Sequence, residues 1–460
     1  MRSPVPQILQ LAYAELLQRT SDADFNQQFP PNETGTFISK RIKDRTYWYR
    51  QVRDKDGARK QIYVGPETDE LLTRIANHKQ RRDDLAERKN LVSTLLRSGY
   101  FVKPTDAVAQ IMMALADAGF FRLRGVLVGT IAYQTYGAML GVRLPIQSFA
   151  TNDLDIAQDA AISLALKDEH LNLLDVLRRV DPKARANPHR ASKTATTTYT
   201  AAGIQVDVLT TNRGPNTDTP QLLPALGTHA TALRHLDHLI YQPVPAVLLY
   251  DAGIRVTVPD PARYAIHKLI VAQGRHTGSG KVVKDLIQAE ALVDAILPDR
   301  NGSLLTAWNE AYERGPKWRK ELFDSLASLG FAVRDRLLQR IGAPRALVPG
   351  AALHFEDIRP RYDLERASVV FTARDQDGNP IFCVISRETL DDRYGADKFT
   401  QAQRVELFHK NRSEFEAMLR HKYLKEPLSS PEPTLFLGTL EFESFRAKLE
   451  PSAKRKRRST

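Results

Sequence analysis

The sequence has 460 residues but only one cysteine, Cys383, and no window approaching the roughly 18 uninterrupted apolar residues of a membrane-spanning helix. A lone thiol excludes an intramolecular disulfide and any cysteine-based zinc knuckle, and it fits a reducing compartment. Its neighbours Ile381, Phe382, Val384 and Ile385 predict a buried strand thiol that packs as a small apolar group. The first residues, Met1-Arg2-Ser3-Pro4-Val5-Pro6, run into Gln and Glu among the apolar positions, with no secretory apolar segment. The expectation is a cytoplasmic protein with no membrane association. Glycine (24) and proline (26) are too few, beside 42% hydrophobic residues, for a collagen-like or wholly disordered chain.

Acid is also in deficit: 54 Asp+Glu stand against 66 Lys+Arg, a formal charge of +12. Such a balance favours a polyanionic partner, and Lys454-Arg455-Lys456-Arg457-Arg458 carries five of those charges in one terminal run. At about 100–200 residues per domain the length implies two to four units.

Hydrophobic periodicity divides the chain. Ile8, Leu9, Leu11, Ala12, Leu16 and Leu17 recur at helical spacing in a helix ending near Thr20. Segments 36–40, 46–52 and 60–65 alternate as strands across turn-forming Lys43-Asp44-Arg45 and Lys55-Asp56-Gly57, which predicts a three-stranded meander. Glu67 to Ser98 reads as one long charged helix, so residues 1–100 are expected to form a separate module. Beyond Tyr100, apolar strands at 125–128, 154–157, 194–200, 204–209, 247–250 and 254–258 mix with helices, and 261–342 is helical throughout. Residues 101–343 are thus one α+β domain, with a mixed sheet and a helical C-terminal half. Pro344 to Gly350 reads as a linker. A hairpin over 367–373 and 381–386 with helices at 387–394 and 402–420 makes a small α+β domain at 352–426, and 427–460 is a tail. No internal repeat is present.

The chemistry-bearing pattern is distributed. Strand Gly125–Val128 runs into Gly129-Thr130 at a helix start, Asp153-Leu154-Asp155 opens another strand, and Asp207 lies within Ile204-Gln205-Val206-Asp207-Val208-Leu209. Alternation puts Asp153 and Asp155 on one face. With Asp207 on a neighbouring strand they would form an oxygen cage, suited to two Mg2+ ions and a nucleoside triphosphate. Gly129 permits close backbone approach to phosphates, and the helix N-terminus there favours anions. An Asp flanked by Val on a strand is costly to bury without a cation.

These residues resemble the nucleotidyltransferase superfamily with the polymerase-beta-like fold: Val128-Gly129-Thr130, Asp153-Leu154-Asp155 and Val206-Asp207-Val208 follow its Gly-Ser, Asp-x-Asp and third-Asp pattern. Thr130 replaces the usual Ser or Gly, and the gap to Asp153 is longer than in minimal members. Arg263-Tyr264-Ala265-Ile266-His267-Lys268-Leu269, Arg275 and Lys284-Asp285-Leu286-Ile287-Gln288 resemble motifs of the bacterial abortive-infection and toxin–antitoxin nucleotidyltransferases. The resemblance covers roughly residues 100–300. It implies magnesium-dependent transfer of a nucleotidyl group to an acceptor, whether RNA, protein or small molecule. Asp153, Asp155 and Asp207 would be metal ligands, Asp207 would help activate the acceptor hydroxyl, and Gly129, Thr130, Lys268 and Lys284 would meet the triphosphate. Asp285 would organise the site.

Two other functions fit the sequence: a non-catalytic nucleic-acid-binding protein with a degenerate transferase core, and a toxin-like component of a defence pair. Residues 40–60 interleave Tyr47-Trp48-Tyr49 with many cations, as contact with RNA or DNA requires, and resemble the small three-stranded arm-type domains of tyrosine recombinases. The basic run would add polyanion affinity. The same aromatics could instead pack internally. Residues 354–425, through Arg361-Tyr362-Asp363, Val369–Ala373 and Cys383–Leu390, resemble a small bacterial domain family of unknown function. Gly274–Lys281 lacks the spacing of a phosphate loop, and His235 with His238 reads as a surface pair.

Overall fold

The computed structural model describes residues 3–28, 35–42, 45–53, 59–77, 84–145, 152–166, 171–189, 192–212, 214, 218–275, 280–356, 358–426, 428 and 432–440. The turn residues Lys43, Asp44 and 54–58, the loop 276–279 and the basic run at 454–458 lie outside them. The fold is α+β, and the chain divides into two compact units, Met1–Pro261 and Ala262–Thr460. That division falls inside the span read from the sequence as one domain.

The first unit begins with α1 (Gln7–Gln28), then β1 (Gly35–Ile42), β2 (Arg45–Arg53) and β3 (Arg59–Pro66), an antiparallel sheet in that order. Helices α2 (Asp69–Asn77) and α3 (Asp84–Arg97) follow. Helix α1 runs past Thr20 because polar contacts replace the apolar stripe: Ser21 bonds back to the Leu17 carbonyl, and Arg74 reaches Asp22 at 3.2 Å. The single helix expected over 67–98 is two described helices. Nor do residues 1–100 stand apart. Leu9, Tyr13 and Leu16 of α1 and Val92 and Leu95 of α3 share a core with Ala138 and Val247, and the Tyr13 hydroxyl accepts from the Val247 N–H at 3.2 Å. An amphipathic helix in a protein takes most of its stability from covering its apolar stripe, and the core supplies the cover.

The larger sheet follows α4 (Asp106–Asp117) and comprises β4 (Val126–Leu127), then, after α5 (Gly129–Leu140), β5 (Asp153–Ala157), and, beyond α6 (Ala160–Ala165) and α7 (Leu173–Val180), β6 (Arg185–His189), β7 (Ser192–Ala201), β8 (Ile204–Thr211), β9 (Gln221–Leu223) and β10 (Thr228–Leu233). Its path is β9-β10-β8-β5-β4, with β7 on β8 and β6 on β7. Strand β8 is parallel to β5 and β10 and antiparallel to β7. The hairpin turn Ala202-Gly203, with φ +49 and +77, fixes the β7–β8 register. One short helix, α8 (Leu236–Leu239), and the hairpin β11 (Val244–Leu248) and β12 (Ile254–Val258) complete the unit.

The second unit is helical through α9 (Pro261–Gln273), α10 (Gly280–Ile296), α11 (Asn301–Glu313), α12 (Pro316–Leu326) and α13 (Phe331–Ile341). Then come β13 (Leu353–His354), β14 (Arg361–Asp363), β15 (Ser368–Asp375), β16 (Pro380–Ser386), helices α14 (Arg387–Tyr394), α15 (Gln401–Lys410) and α16 (Arg412–Lys425), and β17 (Thr434–Leu437). The helix expected over 402–420 is broken at Asn411 (φ −113, ψ 24). Two segments depart from their sequence assignments. Arg345, in the supposed linker, is fully buried, paired with Asp335 and donating to the Tyr423 carbonyl at 2.6 Å. The supposed tail supplies β17, which pairs in parallel with β16 and buries Leu435 and Leu437.

Candidate active site

In the first unit the backbone brings the Gly129 turn and the carboxylate strands together. Strand β5 alternates Asp153 exposed, Leu154 buried, Asp155 half-buried and Ile156 buried, so apolar residues seat one face in the core while both carboxylates take the other. In the parallel register Asp207 lies directly opposite Asp155, and Gln205 opposite Asp153. The Val128 N–H donates to the Asp155 carbonyl at 3.0 Å, docking the entry to α5 against β5.

Gly129 is required by geometry. Its φ is +67, and a Cβ there would lie 2.1 Å from Asp155 Oδ2. The Asp155 carboxylate therefore rests against bare backbone at the N-terminus of α5, where the helix dipole favours negative charge. Val128, the residue preceding that helix, has no side-chain acceptor with which to cap it. Thr130 is half-buried in its first turn.

Asp207 is held from two sides. Thr198 Oγ1 donates to Oδ1 at 2.8 Å, and Gln205 Nε2 donates to both oxygens at 3.1 and 3.0 Å. The three carboxylates thus share a sheet face, yet among the described residues no three His, Cys, Asp or Glu side chains are arranged to hold a metal ion. The carboxylate of Asp207 is turned into the Thr198 and Gln205 bonds. Neither of these two residues was singled out from the sequence. Their signal was present, because the tight Ala202-Gly203 turn pairs Asp207 with Thr198.

In the second unit, Asp285 is buried on α10 and accepts from Lys268 Nζ on α9 at 2.5 Å and from Arg275 Nε at 2.6 Å. The Lys268 ammonium also sits 5.2 Å above the Tyr264 ring, and the Tyr264 hydroxyl donates to Gln288 Oε1 at 3.1 Å. One carboxylate orients two cations, and Gln288 serves as a neutral acceptor for the Tyr264 hydroxyl. Lys284 is half-buried one residue before Asp285.

Other sequence readings resolve differently. Cys383 is buried on β16, and burial pushes its thiol up to about 12. His238 is not a surface residue: α8 is anchored by Leu236 and Leu239, and His238 is buried with them. His235 precedes it at φ +67.

A glycine-to-helix turn abutting paired carboxylates on parallel strands defines an α+β domain whose open sheet face offers hard oxygen ligands beside a helix N-terminus. Residues 106–313 match the family described as Nucleotidyltransferase, so this stretch is similar to a nucleotidyltransferase domain, as Val128-Gly129-Thr130, Asp153-Leu154-Asp155 and Val206-Asp207-Val208 suggest. Residues 353–430 match the family described as Protein of unknown function (DUF1488). No curated protein and no solved structure matches the chain. Among the described residues, no helix is long and apolar enough to cross a membrane.

Proposed function

We propose that the chain transfers a nucleotidyl group from a nucleoside triphosphate to an acceptor hydroxyl, with release of pyrophosphate. The observation that carries this reading is the in-register pair Asp155 and Asp207, with the Asp155 carboxylate lying against Gly129. The donor set fits magnesium: hard carboxylate oxygens from adjacent parallel strands, the one or two protein ligands that such an ion takes when substrate phosphates fill the rest of its shell. Asp155 and Asp207, in register on adjacent strands, would hold it, with Asp153 on the same face two residues before Asp155. Bound magnesium would neutralise the triphosphate and the departing pyrophosphate.

The chain's own groups do the remaining work. The turn at Gly129 and Thr130 seats phosphate oxygens close to backbone at the start of α5. The acceptor oxygen forms its bond to the α-phosphorus as the bond to the β-phosphate oxygen breaks, and the acceptor proton passes to Asp207. For that, Asp207 exchanges its Gln205 contact for the acceptor while Thr198 keeps its aim. In the second unit, Lys268 and Arg275, oriented by Asp285, and Lys284 are proposed as anion contacts.

The test incubates purified protein with magnesium and each of the four labelled nucleoside triphosphates, in the presence of RNA, protein and small-molecule acceptors. Label should appear with the parent and vanish in Asp153→Ala with Asp155→Ala. Absence of both labelling and nucleotide binding by the parent would sink the proposal.

A further inference from the structure

We propose that one face of the N-terminal sheet is a binding surface for single-stranded RNA. Strands β1, β2 and β3 carry Lys40, Arg41, Arg45, Arg50, Arg53, Arg59 and Lys60, and no Asp or Glu among their residues. The acids of this region, Asp44, Asp54 and Asp56, all belong to the intervening segments. A sheet with cations alone attracts a polyanion along its whole length.

Register sorts the side chains into two faces. Tyr49 pairs with Ile38 and Tyr63, and Tyr47 pairs with Lys40, so Tyr47, Tyr49, Tyr63 and Lys40 project together, with Gln51, Gln61 and Arg59 farther along the same face. Trp48 and Arg50 take the opposite face, where the indole N–H donates to Glu67 Oε2 at 2.8 Å and the Arg50 guanidinium is buried 5.8 Å from the Phe37 ring centroid. The Tyr47-Trp48-Tyr49 run is therefore divided: the indole is anchored on one face, and the two half-buried tyrosines lie on the other beside Tyr63. Tyr63 is 55% exposed, with ring centroids 5.5 Å from Tyr49 and 6.3 Å from Tyr47. The Lys40 ammonium lies 5.1 Å over the Tyr49 ring and bonds to Gln61.

Adjacent aromatic rings bordered by cations suit a strand whose bases are splayed for stacking while its phosphates meet Lys or Arg. A duplex keeps its bases stacked on one another and cannot use such rings. The amides of Gln51 and Gln61 each donate and accept, so they can meet base edges and the ribose 2′-hydroxyl that marks RNA.

The test uses the full chain and fluorescence anisotropy of a dye-labelled, U-rich RNA of about 12 nucleotides, a length within the range of such sites. Tyr63→Ala should weaken binding about tenfold, and Tyr49→Ala with Tyr63→Ala further, as loss of base stacking does. Tyr63→Phe should retain the affinity, and Ile62→Ser, on the other face, should leave it unchanged. Each variant is compared at an unchanged melting curve, and the terminal basic run is common to all. An affinity indifferent to the double tyrosine variant, or equal or tighter binding of duplex RNA or of the matching single-stranded DNA, would overturn the proposal. No nucleoside triphosphate enters the measurement, so its outcome is independent of nucleotidyl transfer.

Discussion

Gly129 is the residue at which local conformation and site chemistry meet. Replacing it with alanine places a Cβ in the left-handed region, which costs about 1–2 kcal/mol, and drives that Cβ into the Asp155 carboxylate. Gly129→Ala should therefore lower stability to urea by about that amount and abolish nucleotide binding by displacing Asp155. Undiminished nucleotide binding by a folded Gly129→Ala protein would separate this glycine from the site. At the same scale the sequence was informative about identity and silent about orientation. Asp153, Asp155 and Asp207 could be picked out by their apolar flanks, but the rotation of Asp207 toward Thr198 and Gln205 depends on side-chain bonds that no spacing encodes.

At the scale of elements, the β7–β8 hairpin sets the site register, and its turn is clamped from outside. Asp181 Oδ2 accepts from the Ala202 N–H at 2.9 Å, and Oδ1 accepts from Lys183 N–H at 2.9 Å. These backbone bonds hold the Asp181 carboxyl below its ordinary 3.8. A depressed folded value means the stabilisation is complete above the unfolded pKa and is lost as pH falls through the folded one. Urea midpoints of the parent and of Asp181→Asn should thus differ near neutral pH and converge in acid. A constant gap down to the acid end would refute this linkage. Strands β1 to β3 and β12 were legible because alternation and turn residues agree. The continuation of α1 past Thr20 was not, since the contacts seen there, Ser21 to the Leu17 carbonyl and Arg74 to Asp22, are polar and leave no apolar period to read.

At the scale of the molecule, buried charge lies where elements of the second unit join. In the second unit Arg345 and Asp335 are both buried, and Arg345 also lies 3.9 Å over the Tyr423 ring, tying α13 to α16. Asp335→Ala leaves a buried guanidinium without its carboxylate, and breaking such a pair typically costs about 3–5 kcal/mol. The expected outcome is a lower denaturant midpoint for the transition of the unit from Ala262 onward, largely restored in Asp335→Leu with Arg345→Met. A single-variant midpoint equal to the parent's would show the pair to be dispensable.

The α+β composition, the buried thiol, the order of the glycine and carboxylate motifs and the segregation of positive charge into the first sheet and the terminal run are all legible in the residues alone. Those follow from period, turn chemistry and residue type, which are local. It takes the folded chain to place α1 and α3 in the core beside α5, Arg345 in the interior, β17 on the second unit's sheet and Tyr63 on one face with Tyr47 and Tyr49. Each of these depends on which surfaces meet across long stretches of chain. Apolar burial and strand pairing settle that globally, and no short window of sequence contains the partner.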